Sequence, residues 1–342
     1  MCLAVQKKFE VQPHNAMKLE KLKTWHALCT TKTRLLCGSG ELIWTFRWIN
    51  NGIIGIEETN LNRLPVTEQI RDREITCLQY CPVRHFVFAG TSGGTGHIFC
   101  FQNGLVYLKT IVAHESLIHA VCSAGPDQIG SCSEDGVVSF WDSRCMTTSR
   151  RKNSKPVQSF YPYQVENLAR HNLGKWLTAL ASETQDNDWF TVGGGPRFAI
   201  WNRRAGGHLM KLRPDGSSAW AEDIWYAQTC LFYSSSSASE ACTAKGDQLN
   251  PTSIIAGGNS KCVFSWDYGG HLLASLPLGT PADSRINHAM LVVGPLSAPK
   301  RGWGLDLGND KQIMLVAGAG PVIRVISPTL GYSLGTLRLT CS

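Results

Sequence analysis

A short motif recurs along the chain: an apolar strand, a stretch of small residues containing glycine, a tight turn, and a second apolar strand that closes on an aromatic residue. Its most regular copy runs Ile129-Gly130-Ser131-Cys132-Ser133-Glu134-Asp135-Gly136-Val137-Val138-Ser139-Phe140-Trp141-Asp142. The rhythm repeats in Leu35 to Trp44, in Phe86 to Gly90 followed by His97 to Phe101, and in Trp189 to Gly195 followed by Phe198 to Trp201. It returns in Ile254 to Gly258 with Val263 to Trp266, and in Met314 to Gly320 with Val322 to Ile326. Each copy reads as a β-hairpin whose strands are apolar on both faces. That pattern arises when a sheet is stacked between neighbouring sheets, so that alternate side chains meet different neighbours.

A chain of 342 residues has room for two ordinary domains or for one large closed all-β domain. Six stacked hairpins favour the second. The predicted fold is all-β, a WD40-type β-propeller with six recognisable blades. Such repeats usually recur about every 40–45 residues; the third copy keeps close to this and loops stretch the others. Residues 1–24 read as an irregular N-terminal lead-in, and residues 25–342 as a single propeller domain with long inter-strand loops near 143–175, 215–250 and 278–310. The loops include the serine run Ser234 to Ser237 and belong on the rim or faces, because a blade core cannot absorb them.

With 43% hydrophobic and 17% charged residues, the chain has the make-up of a folded protein and not of a disordered one. Its thirteen cysteines are scattered, mostly inside apolar runs such as Ile98-Phe99-Cys100-Phe101, and read as buried thiols of a reducing compartment. Cys77 and Cys81 stand four apart, but no second pair follows at zinc-ligand spacing, so no metal site is expected. The N-terminus lacks a signal-peptide pattern, and no segment approaches about 18 uninterrupted apolar residues. Together these features predict the cytosol or nucleus and no membrane. The net charge of +7 suits polyanionic or acidic partners but serves solubility equally well.

The third copy also carries polar residues at spacings typical of a WD blade. Ala113-His114 stands where such repeats usually have Gly-His, Asp135 sits in the turn, and Trp141-Asp142 ends the next strand. The WD pattern implies that a buried His114, Ser131, Asp135 and Trp141 satisfy one another, which is what makes their burial tolerable. They form a structural set; a catalytic His-Ser-Asp trio would need an exposed serine beside an oxyanion hole. The glycine runs at Gly93 to Gly96 and Gly193 to Pro196 lack the lysine and following helix of a phosphate loop and read as turns. Asp186, Asp188, Glu222 and Asp223 read as solvated loop carboxylates. No enzyme activity and no cofactor are expected.

Four stretches carry a resemblance. One is the repeat Ser133 to Arg144, generic to WD proteins. More specific is Arg170-His171-Asn172-Leu173-Gly174-Lys175-Trp176-Leu177, continuing through Asn187-Asp188-Trp189-Phe190 into Val192-Gly193-Gly194-Gly195-Pro196 and closing at Ile200-Trp201. The others are Ala256 to Val263 with Trp266, and Val316 to Gly320 leading to Leu330-Gly331-Tyr332. From about Val11 onward the chain resembles the family of sixth subunits of the THO complex, WD-repeat proteins of the nuclear messenger-RNA export machinery. The resemblance implies a nuclear, non-catalytic scaffold. Its partners would be other THO subunits, and it would associate indirectly with RNA and with an export RNA helicase while transcription and processing are coupled to export. It also implies seven blades, whereas here Val11 to Ala16 resembles the lead-in to the family's second blade, so the first is expected to be missing.

Two further readings stand beside this one. Arg144, Arg150, Arg151, Lys152 and Lys155 lie in one inter-blade loop with Phe160, Tyr161 and Tyr163 close behind, a mixture that can neutralise phosphate and stack bases in direct RNA contact. Separately, Trp141-Asp142-Ser143-Arg144 resembles the box by which propeller receptors attach to the adaptor of cullin-type ubiquitin ligases, with Arg144 as its decisive residue.

Overall fold

The doubly apolar hairpins become the middle strands of larger sheets, flanked on each side by strands of more mixed character. The computed structural model describes residues 8–11, 26–31, 34–48, 54–55, 62–63, 74–93, 95–102, 105–146, 155–183, 186–212, 224–231, 252–258, 262–277, 287–293, 313–318, 322–326 and 333–339. After β1 (Lys8–Val11), a first sheet holds β2 (Ala27–Thr30), β3 (Arg34–Ser39), β4 (Leu42–Trp48) and β5 (Ile54–Gly55), with β6 (Asn62–Arg63) also paired to β4. The second holds β7 (Ile75–Cys81), β8 (Phe86–Thr91), β9 (Gly96–Gln102) and β10 (Val106–His114). The third holds β11 (Ile118–Ser123), β12 (Gln128–Ser133), β13 (Val138–Asp142) and β14 (Gln158–Phe160). The fourth holds β15 (Leu177–Ser182), β16 (Trp189–Gly194), β17 (Ala199–Asn202) and β18 (Gly207–Lys211). The fifth holds β19 (Ile224–Leu231), β20 (Thr252–Gly258), β21 (Cys262–Asp267) and β22 (Leu272–Pro277). The sixth holds β23 (Asn287–Val293), β24 (Ile313–Gly318), β25 (Val322–Ile326) and β26 (Ser333–Leu339).

Apart from β1, which joins the sixth sheet parallel to β26, neighbouring strands in each sheet are antiparallel, and β2, β7, β11, β15, β19 and β23 contact one another in a circle that returns from β23 to β2. This is a β-propeller. The links at residues 115–117 and 161–176 and the turns at residues 134–137 and 195–198 lie on one face of the ring, here the link face. Residues 124–127, 143–146 and 203–206 lie on the opposite face.

The core is divided into layers between the sheets. Val87, Ala89, Phe99 and Phe101 pack with Leu36 and Ile43 of the first sheet. Their strand neighbours Phe86, Phe88, Ile98 and Cys100 pack with Ile118, Ile129 and Trp141 of the third. Between the third and fourth sheets lie Phe140, Phe160, Phe190 and Trp201; between the fourth and fifth lie Phe198, Ile200, Ile254 and Trp266. Phe88, Phe99, Phe140 and Phe190 are completely buried, and each such side chain contributes about 1.5–3 kcal/mol of hydrophobic stabilisation.

Three loop boundaries and the lead-in differ from the sequence reading. Residues 215–250 contain β19, and residues 278–310 contain β23, each the innermost strand of its sheet. Residues 143–175 are broken by β14 and by two short 3-10 turns, Ser143–Met146 and Pro162–Gln164. These strands are flanked by serine-rich or proline- and glycine-rich tracts, which masked short apolar runs such as Ile224 to Leu231. The lead-in is not wholly irregular either, since β1 lies parallel to β26 with Lys8 opposite Thr336.

Candidate functional site

His114 ends β10, the outer strand of the second sheet, and reaches into the third. Its Nδ1 lies 2.9 Å from Asp135 Oδ2 and its Nε2 lies 2.8 Å from Ser131 Oγ. The Trp141 indole N–H donates to the same Ser131 oxygen at 2.9 Å. Asp135 also accepts the backbone amides of Glu115 and Val137. Every member thus has a partner: one His114 ring nitrogen meets the Asp135 carboxylate, the other meets Ser131, and the Ser131 oxygen also accepts the Trp141 N–H. Burial alone would raise the Asp135 pKa, but the hydrogen bond and charge of His114, with the two amides, hold it below its ordinary value. The four residues clasp one sheet to the next. Ser131 is completely buried.

The junction between the third and fourth sheets is built differently. Ser131 stands opposite Ser139, two residues before Trp141; the corresponding position opposite Ala199, two before Trp201, is Val192. With no hydroxyl there, the Trp201 indole nitrogen has no hydrogen-bond partner among the described residues. Trp201 instead stacks on Phe190 with ring centroids 5.9 Å apart, and Phe160 packs edge-on against it. Arg203 lies over the Phe140 ring at 4.1 Å. The link is tied down by Arg170, which donates to the Gly194 and Gly195 carbonyls, the latter at 2.7 Å. Gly195 in turn donates to the Trp176 carbonyl at 2.7 Å. A Cβ on Gly195 would stand 2.2 Å from the Gly174 carbonyl oxygen, so only glycine allows so close an approach. The segments from Arg170 to Trp176 and from Gly193 to Pro196, which carry the specific resemblance, thus form one clamp.

The basic-aromatic grouping read from the sequence is split. Arg144 lies on the opposite face, with its guanidinium held by Asp142 (Nε to Oδ1, 3.0 Å; Nη2 to Oδ2, 2.7 Å). That hydrogen bond lowers the Asp142 pKa. Lys155 is exposed, and Arg150, Arg151 and Lys152 lie outside the described residues. Phe160 is buried in the core. Tyr161 and Tyr163 come at the link-face end of the sheet, where Tyr163 packs beside Gly136 and beneath Lys175. Asp188 pairs with Arg204, and Asp186 accepts the Asp188 amide at 3.1 Å; Glu222 and Asp223 lie outside the described residues. Among the described residues no three metal-ligating side chains gather. Burial pushes the Cys77 and Cys122 thiols up to about 12, which keeps them protonated.

Sequence reasoning missed a second tie between sheets. Thr76 donates its hydroxyl to the Ile118 carbonyl of the next innermost strand, and Thr178 does the same to Ile224 at 2.6 Å. Both sit at a bulge near the link-face end, between Ile75 and Cys77 and between Leu177 and Ala179. The available signal was the echo of Ile75-Thr76-Cys77-Leu78 in Leu177-Thr178-Ala179-Leu180.

Sheets stacked in a circle, with a WD-type clasp between two of them, define a protein of the WD40 β-propeller class. The WD40 propeller domain of Doa1 has the same fold: it superposes with a TM-score of 0.52 at 12% identity, covering 87% of this chain and 77% of that one. No family model matches the chain. Its sequence is similar to THO complex subunit 6 of Homo sapiens, 24% identical over 75% of this chain and 64% of that protein. The THO complex subunit 6 homolog of Danio rerio is 29% identical over 52% of each chain. The chain therefore spans between about half and two thirds of the length of these relatives.

Proposed function

We propose that this protein is a non-catalytic scaffold subunit of a THO complex, built as a propeller of six blades. It works in the nucleus, holding other THO subunits together so that transcription and processing are coupled to messenger-RNA export. Contact with RNA and with an export helicase is indirect. The similarity to THO complex subunit 6 proteins is the observation that carries this reading. The return of β23 to β2 supports ring closure with six blades. Consumption of His114, Ser131 and Asp135 in a buried clasp supports the absence of catalysis. The bidentate hold of Asp142 on Arg144 gives that arginine a local structural role, which weighs against the cullin-adaptor alternative.

Affinity purification of the tagged protein from nuclear extract, with and without ribonuclease, tests the reading. Recovery of THO subunits that survives ribonuclease is expected. Recovery of a cullin adaptor that is lost on Arg144→Glu, or recovery that vanishes with ribonuclease, would overturn it.

A further inference from the structure

The link from the second to the third sheet takes only residues 115–117, whereas that from the third to the fourth runs from 161 to 176. The longer link is clamped against the link face. Arg170 grips the Gly194 and Gly195 carbonyls, and the Arg197 amide donates to Leu168 at 2.9 Å. It presents Tyr161, 44% exposed with its ring 6.4 Å from that of Tyr163, and Leu173, 37% exposed, whose carbonyl accepts the indole N–H of a half-buried Trp176. Holding these side chains rigidly in water does not help the fold bury apolar surface. It does lower the ordering cost of binding something to them.

We propose that this link is a docking surface for an amphipathic helix of a partner subunit, a helix with an apolar stripe flanked by acidic residues. The proposal rests on the scaffold reading above and says where and how the partner sits. Strand addition is disfavoured because the link's amides are already used: those of Val165, Leu168, Ala169, Leu173 and Gly174 all donate within it. Recognition is left to side chains, as when a helix lays an apolar face on a surface. The charge fits an acidic flank, since residues 161–176 carry Arg170, His171 and Lys175 against the single carboxylate of Glu166. RNA fits less well. The Tyr163 ring already lies under the Lys175 ammonium, 5.8 Å from its centroid, and the Arg170 guanidinium is committed to carbonyls. Few groups remain to stack bases or pair phosphates.

The test uses the full-length chain co-expressed with THO subunits and purified after ribonuclease treatment. The wild type should recover those subunits. A Leu173→Asp, Lys175→Glu variant should recover at least about tenfold less while melting at the same temperature, and Arg204→Glu on the opposite face should change nothing. Undiminished recovery by the double variant would overturn the docking surface and leave the scaffold reading intact. Failure of the wild type itself would overturn the scaffold reading and the surface with it. Should the double variant melt early, a photo-crosslinker at position 173 in the purified complex decides. A cross-link into an acidic amphipathic helical segment of another subunit is expected. A cross-link to RNA, to a second copy of this chain or to an extended segment would contradict the proposal.

Discussion

Two neighbouring junctions of the ring solve one problem with different chemistry. Between the second and third sheets, a chain of hydrogen bonds from Trp141 through Ser131 and His114 to Asp135 ties a three-residue link to the next sheet. Between the third and fourth, Val192 takes the serine position, Trp201 stacks on Phe190, and Arg170 clamps the link from outside. A polar relay is short-range and demands every member. An aromatic layer tolerates a longer link, because its stabilisation does not depend on how the chain enters. The surface left over by that longer link is where the protein can do something other than fold.

The largest expected effect falls on the aromatic junction. Phe190→Ala should destabilise the protein by about 4 kcal/mol, as large-to-small changes of fully buried aromatics do, and a denaturant midpoint shift measures it. Asp135→Ala comes next at about 3 kcal/mol, because it leaves His114 and two amides without their acceptor. Equal and small losses at both sites would remove the distinction between the junctions. Double-mutant cycles sharpen it further. Asp135→Ala and Trp141→Phe share one relay and should couple by about 1 kcal/mol, whereas Arg170→Ala and Trp201→Phe share no hydrogen bond and should add within about 0.5 kcal/mol. The smallest effect is in acid. The folded Asp135 pKa lies below its ordinary value of 3.8, so its contribution is complete above that value and is lost as the pH falls through the folded pKa. Asp135→Asn, though less stable near neutrality, should therefore lose less on going from about pH 6 to about pH 3 than the wild type does. A parallel acid profile for both proteins would show that the carboxylate is not what makes this junction pH-dependent.

The parts legible in the sequence were those where both faces of a strand are apolar. The runs Phe86 to Gly90 and Ile254 to Gly258 announce themselves because alternate side chains bury against two different sheets. Innermost and outermost strands were harder to read. In β7 the buried residues Ile75, Leu78 and Cys81 recur at every third position with part-buried residues between them, which hides the two-residue period of a strand. β19 and β23 are hidden among polar and glycine-rich flanks. The clasp residues could be named because His114, Ser131, Asp135 and Trp141 stand where the WD repeat pattern implies one buried network. The glycine run was legible as a turn but its tie to Arg170 was not, since nothing local shows that a guanidinium will meet carbonyls some two dozen residues on. Adjacency in sequence also misled: Arg144 and Tyr163 are near in the chain but are separated by the length of a strand.

The most direct test of the account is reconstitution. The purified chain would be mixed with purified THO subunits at physiological salt without nucleic acid, and the mass of the resulting species determined by analytical ultracentrifugation. A stable, stoichiometric complex containing this chain is expected. Separate sedimentation of the chain, or assembly only when RNA is added, would contradict the claim that it is a scaffold held by protein contacts.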